Sequence, residues 1–505
     1  MKLELERQAL QKKIDDLKSV EERREYGQFS TPIVLAREIA RQALSMLKGT
    51  EISFLEPAAG TGAFYSALLQ EKKDQCIVSA RGVEIDPAFV ESSNRLWRTL
   101  GFHVLCSDFT RTTPDGKYNL VLTNPPYVRN HLIPQEDKAS LISTVKDELG
   151  IQISGLSGLY CYYLLLAHKW LAPGALSAWL LPSEFMDVNY GTAVKKYLLD
   201  KVRLLRIHRY DPKSSQFADA LVSSCVVWFV NENSNSDYEV EFTYGGTHQT
   251  PALRMTVKKS ELESEGKWTR FPLKPSRCIC HEDDEIGNFF SVKRGIATGD
   301  NKFFILSEDK IRKLGLDMKF FKPILPSPRK LKQDFVESDE NHNPKLEKKY
   351  FLLDCEDPED QIREQSPSLW SYIQSGMPST SDKYLCRNRK KWYCQEQRSP
   401  TPFLCSYMGR GNDQSSPIRF ICNMSNAIVT NSYLMLYPKE SLLRLIKSDP
   451  RTIIRIWNIL KSIKADDIED EGRVYGGGLK KIEPRELARV HCPAFAKLCS
   501  GAMDV

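Results

Sequence analysis

Short apolar runs, each followed by glycine or polar turn residues, recur through the first half of the chain. Each run is about as long as a buried strand, and the segments between the runs carry apolar residues at helical spacing. This alternation is typical of a parallel sheet with helices on both faces. The predicted strands are residues 52–55, 76–83, 103–105, 118–122, 175–181, 202–206 and 222–230, and the helices are 65–71, 88–100 and 158–170.

The pattern predicts an α/β fold with a Rossmann-like, mostly parallel sheet of seven strands. The polar segment 231–237 ends the alternation, so we place a domain boundary at 236/237. From 237 to 505, proline, aromatic and basic residues are interleaved without a regular period. This second half is predicted to be an irregular α+β domain.

Residues 1–26 form a highly charged segment with a single apolar helical face, made by Leu3, Leu10, Ile14 and Leu17. We expect a helix that packs on its own domain rather than one that binds a partner. The segment 27–32 then breaks it. Thr31 is predicted to be the N-cap of the next helix, with Pro32 in its first position.

Composition excludes several classes of protein. No run of about 18 apolar residues is present, so the sequence predicts no membrane span. The charged start does not resemble a signal peptide. Thirteen scattered cysteines indicate reduced thiols and a cytoplasmic protein. A net charge of +6 permits a polyanionic partner without requiring one.

Three successive strands end in residues that suit an adenosine-containing ligand with little phosphate. Gly60-Thr61-Gly62 follows the first strand and lets backbone amides approach a ligand. Glu84 ends the second strand, where a carboxylate can accept both hydroxyls of a ribose. Asp108 and Phe109 end the third and can bind and stack on an adenine. No lysine follows the glycines as in a phosphate-binding P-loop.

The fourth strand ends in Asn124-Pro125-Pro126-Tyr127. Two successive prolines fix the backbone and remove two donors, so an amide side chain, a free carbonyl and a ring are held at a rigid strand end. Ligands bind at this edge of an open α/β sheet.

With these loops, the chain resembles the gamma class of S-adenosylmethionine-dependent adenine-N6 DNA methyltransferases of type II restriction–modification systems. The resemblance is carried by Phe29-Ser30-Thr31-Pro32, the cofactor loops, Asn124–Tyr127 and, more loosely, segments 293–301 and 475–479. It implies a catalytic domain at 27–236 and a DNA target-recognition domain at 237–505. It also implies a prokaryotic cytoplasmic enzyme, a monomer on double-stranded DNA, whose cognate endonuclease shares the site but need not bind.

The resemblance implies that the target adenine is flipped out of the duplex. The Asn124 side-chain oxygen and the Pro125 carbonyl would accept its two N6 hydrogens, and Pro126 would shape the cofactor wall. Tyr127 would stack on the base, with Phe229 as the second stacking ring.

The same resemblance assigns the cofactor contacts. The methionine end would touch Thr31, Glu56, Ala58 and Gly60, the ribose and adenine Glu84 and Ile85, and the adenine also Asp108 and Phe109. Basic residues interleaved with aromatic residues in the second half are candidate DNA contacts. They are Arg329, Lys330, Arg387, Arg389, Lys390, Lys391 and Arg410.

Other functions stay open at this point. N4-cytosine methylation uses the same kind of motif, and a protein glutamine N5-methyltransferase also carries Asn-Pro-Pro-Tyr, although such enzymes are shorter. A binding module without catalysis and a dinucleotide oxidoreductase fit the residues less well. With only about 27 residues before the cofactor core, we expect no fused N-terminal nuclease. Cys278-Ile279-Cys280-His281 lacks a second ligand pair, so we predict no metal site.

Overall fold

The computed structural model describes residues 2–211, 223–233, 236–273, 282–409, 418–475 and 479–500. The chain divides into two compact units. The first comprises Met1–Arg277 with Tyr475–Gly477, and the second comprises Cys278–Val474 with Gly478–Val505.

The first unit is built on a nine-stranded sheet. Its strands are β1 (Glu51–Glu56), β2 (Cys76–Glu84), β3 (Phe102–Cys106), β4 (Tyr118–Thr123), β5 (Leu171–Pro182), β6 (Arg203–Arg209), β7 (Ser224–Val230), β8 (Glu239–Gly246) and β9 (Pro251–Lys258). Their order across the sheet is β3-β2-β1-β4-β5-β7-β6-β8-β9.

Most neighbouring strands are parallel, which confirms the predicted α/β class with a mostly parallel sheet. β3, β2, β1, β4 and β5 run parallel, whereas β7 is antiparallel to β5 and β6. The sheet exceeds the seven predicted strands because β8 pairs parallel with β6 and β9 pairs antiparallel with β8. The predicted boundary at 236/237 therefore falls inside the first unit, between two of its strands.

Helices cover both faces of the sheet. They are α1 (Lys2–Asp16), α2 (Val20–Glu25), α3 (Ile33–Met46), α4 (Ala63–Glu71), α5 (Pro87–Trp97), α6 (Gln135–Leu149), α7 (Leu159–Leu166), α8 (Thr192–Asp200) and α9 (Lys259–Ser264). The prediction that Thr31 caps α3 is wrong. Pro32 occupies the N-cap position and has no side-chain acceptor, while the Thr31 hydroxyl accepts from Asn124 Nδ2.

Alternating residues of the central strands fill two separate cores. Leu55, Val121 and Trp179 belong to the core on one face. Phe54, Leu120 and Trp228 belong to the core on the other face. Since side chains alternate along a strand, this burial fixes the register and holds the strand ends at defined heights.

The turn after β1 depends on glycine at position 62. Gly62 has φ +81°, and a Cβ there would lie 2.6 Å from the indole nitrogen of Trp97. That indole donates to the Thr61 carbonyl at 2.8 Å. The close approach fixes where the glycine loop leaves the sheet.

The second unit contains three smaller sheets, with strand orders β10-β18-β15-β17-β13, β11-β14-β12 and β16-β20-β19. The strands are β10 (Phe290–Arg294), β11 (Ile305–Ser307), β12 (Phe321–Ile324), β13 (Phe335–Val336), β14 (Tyr350–Leu353), β15 (Phe403–Ser406), β16 (Met408–Gly409), β17 (Phe420–Asn423), β18 (Tyr433–Pro438), β19 (Arg473–Tyr475) and β20 (Leu479–Lys481).

The helices of the second unit are mostly short. They are α10 (Ile286–Phe289), α11 (Asn301–Phe304), α12 (Glu308–Lys313), α13 (Glu359–Gln365), α14 (Pro367–Gln374), α15 (Tyr384–Arg387), α16 (Glu440–Ser448), α17 (Thr452–Ser462), α18 (Ala465–Glu471), α19 (Pro484–Ala488) and α20 (Pro493–Ser500). Across the described ranges, no helix has both the length and the apolar character that a membrane span requires.

Replacing Gly62 with alanine is expected to destabilise the first unit. The positive φ costs about 1–2 kcal/mol for an L-residue, and the clash with Trp97 adds about 1–3 kcal/mol. Gly49→Ala is the matched control, because Gly49 also has positive φ (+85°) but nothing lies within 4 Å of its Cβ position. Thermal denaturation of both variants separates strain from clash. Equal losses of stability would contradict the packing assigned to Gly62.

Candidate active site

The carboxyl ends of β1, β2 and β4 meet at an open cleft in the first unit. Because these strands are parallel neighbours, residues that follow each of them come together at one edge of the sheet. The cleft is lined by eight of the predicted site residues, Thr31, Glu56, Ala58, Gly60, Glu84, Ile85, Asn124 and Pro126.

The Asn124 amide, at the end of β4, is held in one orientation. Its Nδ2 donates to the Phe29 carbonyl at 3.0 Å and to the Thr31 hydroxyl at 3.2 Å. Since a carbonyl can only accept, the nitrogen must face Phe29 and the oxygen must face away. The Asn124 Oδ1 is buried and finds no hydrogen-bond donor within the described ranges. Burying an oxygen without a hydrogen bond costs free energy, so a donor from a ligand would stabilise this atom.

Tyr127 is fixed at the same strand end but does not line the cleft. Its hydroxyl donates to the Leu180 carbonyl at 3.0 Å, and its backbone N–H donates to the Gly27 carbonyl at 3.3 Å. The ring is 9% exposed and lies 5.9 Å from the Phe29 ring, centroid to centroid. Burial raises the pKa of the Tyr127 hydroxyl well above its ordinary value, so the hydroxyl keeps its proton. Pro125 is buried beside it.

Glu56 lies at the end of β1, where its carboxylate faces the start of α4. Its two oxygens accept from the backbone N–H groups of Phe64 and Tyr65, both at 3.3 Å. The side chain is almost completely buried, and this desolvation raises its pKa well above the usual range. A cation arriving in the cleft would stabilise the ionised form.

Glu84 ties the end of β2 to the glycine loop. Its Oε2 accepts from the Gly60 N–H at 2.9 Å and its Oε1 from the Asp86 N–H at 3.0 Å. Burial raises the pKa of this carboxyl group. Ile85, the next residue, is 59% exposed and presents an apolar side chain to the cleft. A ribose could hydrogen-bond to the Glu84 carboxylate, and an aromatic ring could pack on Ile85.

Asp108 and Phe109 do not line the cleft. Asp108 Oδ1 accepts from the Thr110 N–H and hydroxyl, at 2.9 and 2.7 Å. Phe109 is buried, with its ring stacked on Trp170 at 5.3 Å and tilted against Tyr163 at 5.4 Å. Tyr163 lines the cleft instead. The aromatic-rich sequence of α7 could have indicated such a residue. The residues at the strand ends alone do not.

Phe229, the expected second stacking ring, lies away from the cleft. Its ring is fully buried in the core of the first unit, edge-on to Tyr197 at 5.8 Å. Phe229 pairs with Ser177 on β5, whereas Thr123, the last residue of β4, pairs with Trp179. Phe229 therefore lies two β5 positions further from the edge where the cleft opens, and it does not line the cleft. Residues 212–222, which precede β7, lie outside the described residues.

The sequence interpretation missed cleft residues that come from the N-terminal segment. Gln11 and Asp15 of α1, together with Tyr26 and Gln28, line the cleft. Gln11 and Asp15 are four residues apart, so they share one helical face, but nothing in their spacing distinguishes them from other polar pairs on this helix. Only the packing of α1 reveals their place.

In the second unit, the candidate DNA contacts divide into two groups. Arg329, Lys330, Arg387 and Lys390 are exposed. Arg389 donates to the Ala297 carbonyl at 2.7 Å, and Lys391 donates to the Glu356 carbonyl, so these two support their own unit. The remaining DNA-contact candidate, Arg410, lies outside the described residues. So do the Cys278, Cys280 and His281 motif and the glycines 476–478.

Two family descriptions match the chain in tandem. Residues 38–217 match the Eco57I restriction-modification methylase family. Residues 265–504 match the family described as the C-terminal domain of the type II methyltransferase M.Eco57I.

Curated relatives extend over nearly the whole chain. The type II methyltransferase M.AccI of Acinetobacter calcoaceticus is 27% identical over 486 residues, which covers 93% of this chain and 85% of the relative. The type II methyltransferase M.XamI of Xanthomonas campestris pv. amaranthicola is 26% identical over 487 residues, or 94% and 86% of the two chains.

Among solved structures, the type IIL restriction-modification enzyme MmeI in complex with DNA has a similar fold. Its TM-score is 0.54 at 14% sequence identity, and the match covers 85% of this chain. The chain spans 65% of that longer protein, which is less than two thirds of its length.

The raised pKa values of Glu56 and Glu84 predict that S-adenosylmethionine binds better as the pH increases. Both carboxyl groups lose their protons only above their ordinary range near 4.3, and a cationic ligand needs them ionised. Affinity measured by calorimetry is expected to rise from pH 5 towards neutrality and then level off. Glu56→Gln should bind more weakly and flatten this profile. Glu51→Gln, at the exposed start of the same strand, should behave like the unmodified chain. An unchanged profile in the Glu56 variant would contradict the assignment.

Proposed function

We propose that this chain is a type II restriction–modification methyltransferase that methylates the N6 amino group of adenine in a specific double-stranded DNA sequence. S-adenosylmethionine is the methyl donor, as the family implies. The modification protects the DNA from a cognate restriction endonuclease. The observation that carries the proposal is the Asn124 Oδ1 in the lining of the cofactor cleft, which is buried and has no donor among the described residues.

The proposed chemistry uses Asn124 as an acceptor. An exocyclic amino group is a weak nucleophile because its lone pair is conjugated with the ring. Hydrogen bonds from its two N–H groups to Asn124 Oδ1 and the Pro125 carbonyl would favour a pyramidal nitrogen whose lone pair points at the donor. The new N–C bond then forms as the C–S bond breaks, and the nitrogen afterwards loses a proton to solvent. Asn124 needs no proton of its own, so a fixed amide is sufficient.

The base must leave the duplex to reach this position, because a stacked and paired amino group is inaccessible. We assign Tyr127 as its stacking ring, held in place by its hydrogen bond to Leu180. The ring is mostly buried in the DNA-free chain, so stacking requires part of its surroundings, such as Phe29, to move. Base stacking on an aromatic ring contributes about 1–3 kcal/mol.

The cofactor contacts are proposed to follow the cleft. Glu56 and the glycine loop suit the methionine end, while Glu84 and Ile85 suit the ribose and adenine. Asp108 and Phe109 would act on the adenine end indirectly, because neither residue lines the cleft. The Phe109 ring packs against Tyr163, which does line it. The second unit is proposed to recognise DNA, with its exposed basic residues neutralising phosphates.

Methylation mapping tests this function directly. Expressed in a host without its own DNA methylation, the chain is expected to place N6-methyladenine at one recurrent sequence, detected by single-molecule sequencing. Asn124→Ala should reduce transfer by roughly 10²–10³-fold or more, by analogy with loss of a positioned polar group, while it still binds S-adenosylmethionine. Thr31→Val, which removes one of the two acceptors that orient the amide, should show a smaller loss. N4-methylcytosine, or full activity of the Asn124 variant, would contradict the proposal.

The DNA role of the second unit makes a separate prediction. Replacing Arg387 and Lys390 together with alanine should weaken DNA binding and lower the slope of log affinity against log salt, by about 1 for each lost phosphate contact. Lys313→Ala, an exposed lysine of α12 outside the predicted set, is the control. Arg389→Ala should instead lower thermal stability, because its side chain supports Ala297. A salt slope that matches the control would remove Arg387 and Lys390 from the interface.

A further inference from the structure

Helix α1 is fastened to the glycine loop by a buried polar network. Arg7 pairs with Glu4 on the same helix at 2.7 Å, and its Nη1 donates to the Thr61 hydroxyl at 3.0 Å. Both side chains are almost fully buried. Ser66, in α4, donates its hydroxyl to Glu4. A buried ion pair is stabilised when additional hydrogen bonds satisfy its polar atoms. These bonds fix the position of α1 on the loop that borders the cofactor cleft.

The network continues from the loop to a carboxylate in the cleft. The Thr61 hydroxyl donates to Gln11 Oε1 at 2.8 Å. The other end of that amide, Gln11 Nε2, donates to both oxygens of Asp15, at 3.0 and 3.1 Å. Gln11 therefore joins the glycine loop to Asp15 and fixes where this carboxylate lies.

The cleft is lined by acidic side chains. Three carboxylates line it, Asp15, Glu56 and Glu84, and no lysine or arginine occurs among the described lining residues. Outside the lining, Arg23 and Lys18 act electrostatically on Asp15, and Lys18 is also paired with Asp86. Arg7 is paired with Glu4. Such an arrangement favours a ligand that brings positive charge into the cleft.

S-adenosylmethionine and its product differ in that respect. The donor carries a sulfonium and an ammonium against one carboxylate, whereas S-adenosylhomocysteine has lost the sulfonium charge and is neutral overall. Release of the product must precede the next methyl transfer, so weaker binding of the neutral form is useful.

We propose that Asp15, positioned by Gln11 and the α1 network, is a specificity residue that favours the cationic methyl donor over the uncharged product. The proposal rests on the proposed function, because it takes S-adenosylmethionine as the ligand. It gives α1 a role in the cofactor site that goes beyond capping the domain.

Calorimetric titration of the full chain with S-adenosylmethionine and with S-adenosylhomocysteine tests the proposal. The unmodified chain is expected to prefer the donor, and the preference should shrink as salt is added. Asp15→Asn should reduce the ratio of the two affinities by roughly threefold to tenfold. Asp16→Asn, the exposed neighbour on the same helix, should leave the ratio unchanged. Asp15→Glu keeps the charge and should retain most of the preference.

Each outcome is decisive. An Asp15→Asn chain that keeps the ratio, or loses affinity equally for both ligands, overturns the proposal, because Asp15 would then act without regard to charge. If Asp15→Asn fails to fold, a salt-independent ratio in the unmodified chain overturns it instead. If the unmodified chain binds neither ligand, the proposed function fails and not only the role of Asp15.

Discussion

The site depends on the hydrogen bonds that orient the Asn124 amide. Its nitrogen is committed to the Phe29 carbonyl and the Thr31 hydroxyl, which come from the segment between α2 and α3. That leaves the oxygen buried, with no hydrogen-bond donor among the residues that the structure describes. Leaving such an atom unsatisfied costs about 1–3 kcal/mol, a cost that a bound amino group would relieve. Under the proposed function, the acceptor would be in place before the substrate binds, as preorganised electrostatic stabilisation requires.

On the cofactor side of the cleft, hydrogen bonds fix two carboxyl groups in a comparable way. Glu56 holds the start of α4 and Glu84 holds the glycine loop, each through backbone N–H groups. Their burial disfavours the ionised form, and a cationic ligand restores it. Helix α1 closes the arrangement through Arg7 and Thr61. The loops that border the cleft are therefore fixed by the acidic side chains that line it.

Local patterns sufficed for the strands and for the residues at their ends. Apolar runs and turn residues located β1 to β5 within a few positions, and parallel pairing brought Glu56, Glu84 and Asn124 together. Long-range packing decided what the patterns could not. Phe229 fits a β-strand equally well at any depth, and only the register against β5 shows that it is buried in the core.

Local sequence patterns could not predict where the first unit ends, for a similar reason. The polar segment 231–237 looks like a linker, yet β8 beyond it returns to pair with β6. The place of Gln11 and Asp15 likewise depends on where α1 docks, which a charged amphipathic helix does not disclose. Tertiary contacts between distant segments set each of these features.

A crystal structure of the chain with cognate DNA and a non-reactive analogue of S-adenosylmethionine measures the central contact directly. We expect an extrahelical adenine whose N6 nitrogen lies about 3 Å from Asn124 Oδ1, with Asn124 Nδ2 still hydrogen-bonded to the Phe29 carbonyl. A target base that stays stacked in the duplex, or an Asn124 amide turned so that its oxygen faces Phe29, would contradict it.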